Sequence, residues 1–270
     1  MTDDAFVPPP ADGRVFRHPV AAGLADVAPS GRARLDAIAR WLQDAALADV
    51  VDSGLDGGGV WVLRRLRLRV ARFPRFGEAL EVATFCSGTG ALVAERRSTV
   101  VVAAAGGGGV AGGTGAAGDT GAAGGTGGAG GTGAAAVEAL ALWVHLDPDG
   151  AHPRPLPDGF AAVYGATAAR RRVRARLRHP AAPPERAPGR PWRFRAADLD
   201  LAGHVNNAVY WQVLEEELVP AEPVTAVDAE IEYRAAGRAG DASVATGDGL
   251  RWISADGGDV LATVCVRPTI

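Results

Sequence analysis

The run Asp198-Leu199-Asp200-Leu201-Ala202-Gly203-His204-Val205-Asn206-Asn207 puts two carboxylates, an imidazole and two carboxamides within ten residues, directly ahead of an amphipathic stretch. Amides of a first helical turn have no intrahelical partner and carry the positive end of the helix dipole, so they can bind a developing oxyanion. A carboxylate and an imidazole held beside them can activate water against a carbonyl. Asp200, His204 and Asn206 are therefore the candidate catalytic groups, and Asn207 a candidate substrate contact. Each has a plainer alternative. Asn206 suits a helix N-cap as well as it suits orienting a water, and His204 could simply bond the turn.

The elements that must position these groups occur twice. Asp26-Val27-Ala28-Pro29-Ser30-Gly31 leads into a helix with Leu35, Ile38, Ala39, Leu42 and Ala46 on one face. Asp198 to Gly203 leads in the same way into a helix striped by Val209, Tyr210, Val213, Leu214 and Leu218. Strand-like sequence follows each helix. It covers 60–72, 78–86, 92–102 and 137–146 in the first half, and 226–234, 242–247, 250–254 and 260–267 in the second. A helix wrapped by antiparallel strands, present twice, implies a fused pseudo-dimer whose two sheets pair. Residues 1–168 and 191–270 are the expected repeats, joined by a linker over 169–190. Ala28 and Arg32 stand where the second half has Asp200 and His204, so one active site per chain is expected.

Two segments stand apart. Residues 112–135 form an unbroken Gly-X-Y pattern of mostly Gly, Ala and Thr. No proline pre-organises it for a triple helix, and it has too little apolar surface to offset its ordering entropy, so 103–136 reads as a disordered insertion in a hairpin. The Arg170–His179 run either docks an acidic carrier or a phosphate, or is a solvated edge strand with its arginines in water.

Composition narrows the classes. The 270 residues are 47% hydrophobic and 22% charged, enough for a sizeable core, and the net charge is −3. A single basic run without interleaved aromatics in such a chain argues against nucleic acid. Every basic residue is Arg, a pattern that GC-rich coding bias explains. Cys86 and Cys265 show no ligand spacing, so no metal and no cofactor are expected, and free thiols in a cytoplasmic protein are the default. No apolar run reaches membrane-spanning length, and Met1–Pro10 is acidic and Pro-rich, unlike a signal peptide.

Three ordered pieces carry a family resemblance: Asp198 to Asn207 followed by Tyr210, the helix Gly31 to Ala46 with its Leu42-Gln43-Asp44 ending, and Phe73-Pro74-Arg75-Phe76-Gly77-Glu78 with Trp143, Asp147 and Leu156-Pro157. Together they resemble acyl-acyl-carrier-protein thioesterases of the hotdog superfamily. The resemblance implies an α+β tandem (double) hotdog with two long helices, each wrapped by an antiparallel sheet. It implies a hydrolase that releases free fatty acid from acyl-phosphopantetheine on acyl carrier protein, as a monomer or homodimer without a membrane span. Leu35, Ile38, Trp41, Leu42 and Trp61 are the expected walls of the acyl tunnel. The chain departs from the family pattern at Ala202, where Asn is usual, and at Ala235-Ala236, where Glu-Cys is usual. A Cys-His scheme is thereby excluded, and a carboxylate scheme through Asp200 and His204 survives. Acyl-CoA is the alternative carrier, with Glu215 matching a helix Glu of stand-alone acyl-CoA thioesterases. A non-catalytic acyl-binding protein is the alternative from another class.

Overall fold

The computed structural model describes residues 6–55, 58–103, 134–150, 152–168 and 171–267. The insertion expected to be disordered lies, for 104–133, outside the described residues. Among the described residues ten strands form one sheet: β1 (Phe16–Ala21), β2 (Val60–Val70), β3 (Ala79–Thr89), β4 (Val93–Val102), β5 (Val137–Leu146), β6 (Gly189–Phe194), β7 (Val227–Tyr233), β8 (Gly240–Gly247), β9 (Leu250–Ala255) and β10 (Val260–Arg267). Their order is β1-β3-β4-β5-β2-β7-β10-β9-β8-β6, with all neighbours antiparallel. The order reads the same from either edge once each strand of one half is matched to its counterpart in the other, so the two repeats meet at the β2–β7 seam.

Alternation along β2 and β7 decides what that seam holds. Leu66, Leu68 and Val70 of β2 and Val227, Ala229 and Ile231 of β7 face the helix side and join the main core. Arg65, Arg67 and Arg69 face the other side, in register with Glu232, Glu230 and Asp228. Arg67 binds Asp228 through both carboxylate oxygens (2.8 and 2.6 Å), and Arg267 reaches Glu230 at 3.0 Å. The linker crosses this charged face and is not an edge strand. Val173 is buried, and the Arg178 and His179 amides donate to Glu232 at 2.6 and 3.0 Å.

The helices correct the expectation of two long ones. In the first half α1 (Leu35–Ser53) runs for 19 residues and stops at Gly54, whose φ of 65° suits a C-terminal glycine. Leu35, Ala37, Ile38, Ala39, Trp41, Leu42, Ala45 and Ala46 are all buried. In the second half a 3-10 turn, Val209–Trp211, passes into a short α3 (Gln212–Leu218). Pro220 supplies no N–H and its ring crowds the preceding turn, so this helix cannot match the length of α1. A third helix, α2 (Phe160–Ala168), packs on β3. The edge strands β1 and β6 each carry a proline, Pro19 and Pro191, at equivalent positions, where a missing donor is tolerated.

Candidate active site

One backbone turn is built twice. Asp26 N–H donates to the Gly23 carbonyl, Ala28 to Arg32, Gly31 to Ala28 and Arg34 to Asp26. At a constant offset, Asp198 donates to Arg195, Asp200 to His204, Gly203 to Asp200 and Asn206 to Asp198. Asp26 and Asp198 each accept the amide that opens their turn, at 3.0 and 2.7 Å. The matched turns place Ala28 against Asp200 and Arg32 against His204, the equivalence read from the sequence.

In the second copy the Asp200 carboxylate is exposed. Its Oδ1 accepts the amides of Ala202 (2.9 Å) and His204 (3.4 Å), so it is anchored to the turn without being buried by it. Gly203, with φ 71°, lets the chain reverse there. His204 is half-buried, and among the described residues no hydrogen bond joins its ring to Asp200. Asn206 Oδ1 accepts the Ala208 amide at 2.9 Å, which is the capping role. The Asn207 carbonyl accepts from the Tyr233 hydroxyl at 2.8 Å. Burial pushes that hydroxyl far above the ordinary tyrosine range, so it remains a donor. Tyr210 packs against the Gly237 backbone without a well-formed hydrogen bond. Burial, with the negative charge of Asp200 adding to it, pushes its hydroxyl up to about 12.

From Asn207 a narrow slot runs between α1 and the sheet. Ala39, Leu42, Gln43 and Ala46 of α1 form its roof. Its floor crosses from Tyr233 to Leu63 and Leu66 of β2, then to Ala139, Ala141 and Trp143 of β5, and ends at Arg96 and Ser98 of β4. At rest it admits little more than a water molecule. Of the expected walls, Leu42 and Asn207 line it. Leu35, Ile38 and Trp41 lie in the packed core, and Trp61 packs on His145 and Phe160 under α2. The sequence reading missed Tyr233, Gln43 and Arg96. Gln43 is signalled only by its position in the Leu42-Gln43-Asp44 ending, and Arg96 by nothing beyond its place in the strand-like run 92–102.

In the first copy the corresponding place is filled. The Arg32 guanidinium, 1% exposed, binds both Glu215 oxygens (3.0 and 2.8 Å) and Glu222 (2.6 Å). Glu215 also takes the Leu35 amide at the start of α1, at 2.6 Å. Glu215 is thus neither solvated nor in the slot; it closes the first-half copy. Gln43 is its counterpart on α1 and lines the slot beside Asn207. Among the described residues, His179, Glu230 and Glu232 are close enough to share a metal ion. Arg65, Arg267 and Arg234 surround them and the linker amides occupy Glu232, so the group is better suited to ion pairing than to holding a cation. Cys86 and Cys265 are free thiols, and burial pushes Cys86 up to about 11, which leaves it unreactive.

Comparison with known proteins agrees with this architecture. The family profile described as Acyl-ACP thioesterase N-terminal domain matches residues 13–108, and the one described as Acyl-ACP thioesterase C-terminal domain matches residues 182–243, together more than half of the chain. A search of curated protein sequences finds no significant match. Among solved structures, an acyl-ACP thioesterase from Bacteroides thetaiotaomicron is similar at a TM-score of 0.67 and 16% identity, covering 93% of this chain and 96% of that one. The 12:0-ACP thioesterase from Umbellularia californica gives a TM-score of 0.67 at 19% identity, covering 96% and 100%. A Lactobacillus plantarum protein described as an oleoyl thioesterase gives 0.69 at 15%, covering 95% and 96%. At these identities the structural likeness shows the fold, a hotdog-like antiparallel sheet with few helices, and the two profile matches, one to each half, show that this chain belongs to the acyl-ACP thioesterase family.

Proposed function

We propose that this fatty acyl-ACP hydrolase cleaves its thioester at the 198–207 turn, with Asp200 as the general base. One observation carries the reading: of two equivalent turns, the first is plugged by the Arg32–Glu215 pair, whereas the second keeps an exposed carboxylate and opens onto the slot. The acyl carbonyl sits at Asn207. Asp200, acting directly or through His204, takes a proton from water as the water oxygen bonds to the carbonyl carbon. The Asn207 amide, equivalent to the Leu35 amide that takes the Glu215 carboxylate in the first copy, stabilises the oxyanion. The C–S bond then breaks as the oxyanion re-forms the carbonyl, releasing the free acid; the carrier's pantetheine leaves as a thiolate, which needs no acid, and the proton held by Asp200 passes to solvent, resetting the base. Asn206 caps the following turn and so holds Asn207 in place. Both halves needed for the site come from one chain, so a monomer suffices for activity.

The test is release of free acid by the purified protein from acyl carrier protein and CoA thioesters of the same acyl group. Higher kcat/KM on the carrier protein supports the reading. Preference for CoA would reassign the carrier, and binding without turnover on either would make the chain an acyl-binding protein.

A further inference from the structure

The acyl slot ends at a charged wall. Where β4 closes it, Arg96 donates to Asp49 Oδ2 at 2.6 Å, and Asp49, fully buried on α1, is held as well by Arg14 (2.7 Å) and the Tyr164 hydroxyl (3.1 Å). Behind them Thr84 is bonded by Arg96 and by the Ser98 hydroxyl (3.3 and 2.8 Å). A carboxylate with three partners drawn from β4, α2 and the segment before β1 does not swing aside for an alkyl tail. A methyl end pressed against the ion pair gains no burial beyond what the pair already has. The approach to the wall is built differently. Ala39 and Ala46 of α1 face Ala139 and Ala141 of β5 across the slot, so an alkyl chain parts helix from sheet where there is least side chain to displace.

We propose that the Arg96–Asp49 wall sets the length of the acyl group, making this a medium-chain hydrolase with an upper limit near twelve carbons. The inference rests on the thioesterase reading and deepens it. From Tyr233 on β7 to Arg96 on β4 the slot crosses β2 and β5. Three inter-strand steps of about 4.8 Å make roughly 14 Å, the extended length of about eleven carbons. The proteins with similar structures include a 12:0-ACP thioesterase and one described as an oleoyl thioesterase, so family membership leaves the length open.

The experiment measures kcat/KM on saturated acyl carrier protein thioesters from eight to eighteen carbons. The expected profile peaks at ten to twelve carbons and is at least tenfold lower at sixteen. Arg96→Met removes the charge while Asp49 keeps Arg14 and Tyr164, and should raise the sixteen-carbon rate relative to the twelve-carbon rate at least tenfold. Ala46→Met, which fills the slot one helical turn before Asp49 and leaves the Arg96–Asp49 pair in place, should move the peak to shorter chains. A wild-type profile still rising at sixteen carbons overturns the proposal, as does a folded Arg96→Met enzyme with an unshifted profile. If neither variant folds, the wild-type profile decides alone. If no thioester of any length is cleaved, it is the thioesterase reading that fails. The wall is then tested by calorimetric binding of free acids, where tightest binding at ten to twelve carbons upholds it and at sixteen or more refutes it.

Discussion

At the residue scale the duplication works as an internal control. The same turn holds Asp200 in one copy and Ala28 in the other, and both close with the same backbone bonds, so the carboxylate is not needed to make the turn. Asp200→Asn should therefore leave thermal unfolding nearly unchanged while lowering kcat by roughly a hundredfold or more, the usual worth of a general base. Activity within a few-fold of wild type would remove Asp200 from that role. Arg32 behaves oppositely. Its replacement strands the buried Glu215 carboxylate, so Arg32→Met should cost roughly 3–5 kcal/mol in urea unfolding, and adding Glu215→Leu should recover much of it. Equal losses in the single and double variants would show that the pair does not act as a unit.

At the scale of elements the charged face of the β2–β7 seam joins the halves. Burial pushes the Glu230 carboxyl up, but the His179 bond and the charges of Arg65 and Arg267 outweigh this and hold it down at about 2, against an ordinary 4.5. A carboxyl lowered on folding contributes stability that is complete above its unfolded value and lost as pH falls toward its folded one. Wild type should thus lose stability between about pH 4.5 and 2, and Glu230→Gln, weaker at neutral pH, should lose less across that window. Urea midpoints at a series of pH values measure this, and parallel curves would count against it. The helices show how elements diverge after duplication: α1 continues to Ser53 before Gly54 ends it, far enough to carry Asp49 to the end of the slot, whereas Pro220 stops α3 early.

At the scale of the whole molecule the Gly-X-Y tract joins strand ends that are already neighbours, since Val100 pairs with Val137 and the Ala136 amide donates to the Val100 carbonyl. Deleting residues 106–133 should therefore leave solubility and turnover within about twofold of wild type, because the cost of loop closure changes slowly with length. Gel filtration and the acid-release assay check this. Insoluble protein, or an assembly lost on deletion, would mean that the tract has a structural role.

Much of this was legible in the chain. The eight strands with strong β-branched or alternating character, the twofold repeat, and the Ala28/Asp200 and Arg32/His204 equivalence follow from local pattern, because strands and turns are set by residues a few positions apart. The edge strands β1 and β6 were missed because Pro19 and Pro191 argue against strand wherever the position in the sheet is unknown. Helix α2 was missed because only nine residues carry its pattern. What the tertiary structure alone decided is which side chains meet across long separations: Arg32 with Glu215, Tyr233 with Asn207, and Arg96 with Asp49. These pairs lie on different elements, and no local periodicity encodes the packing that brings a charge on β4 to the end of an apolar slot roofed by α1.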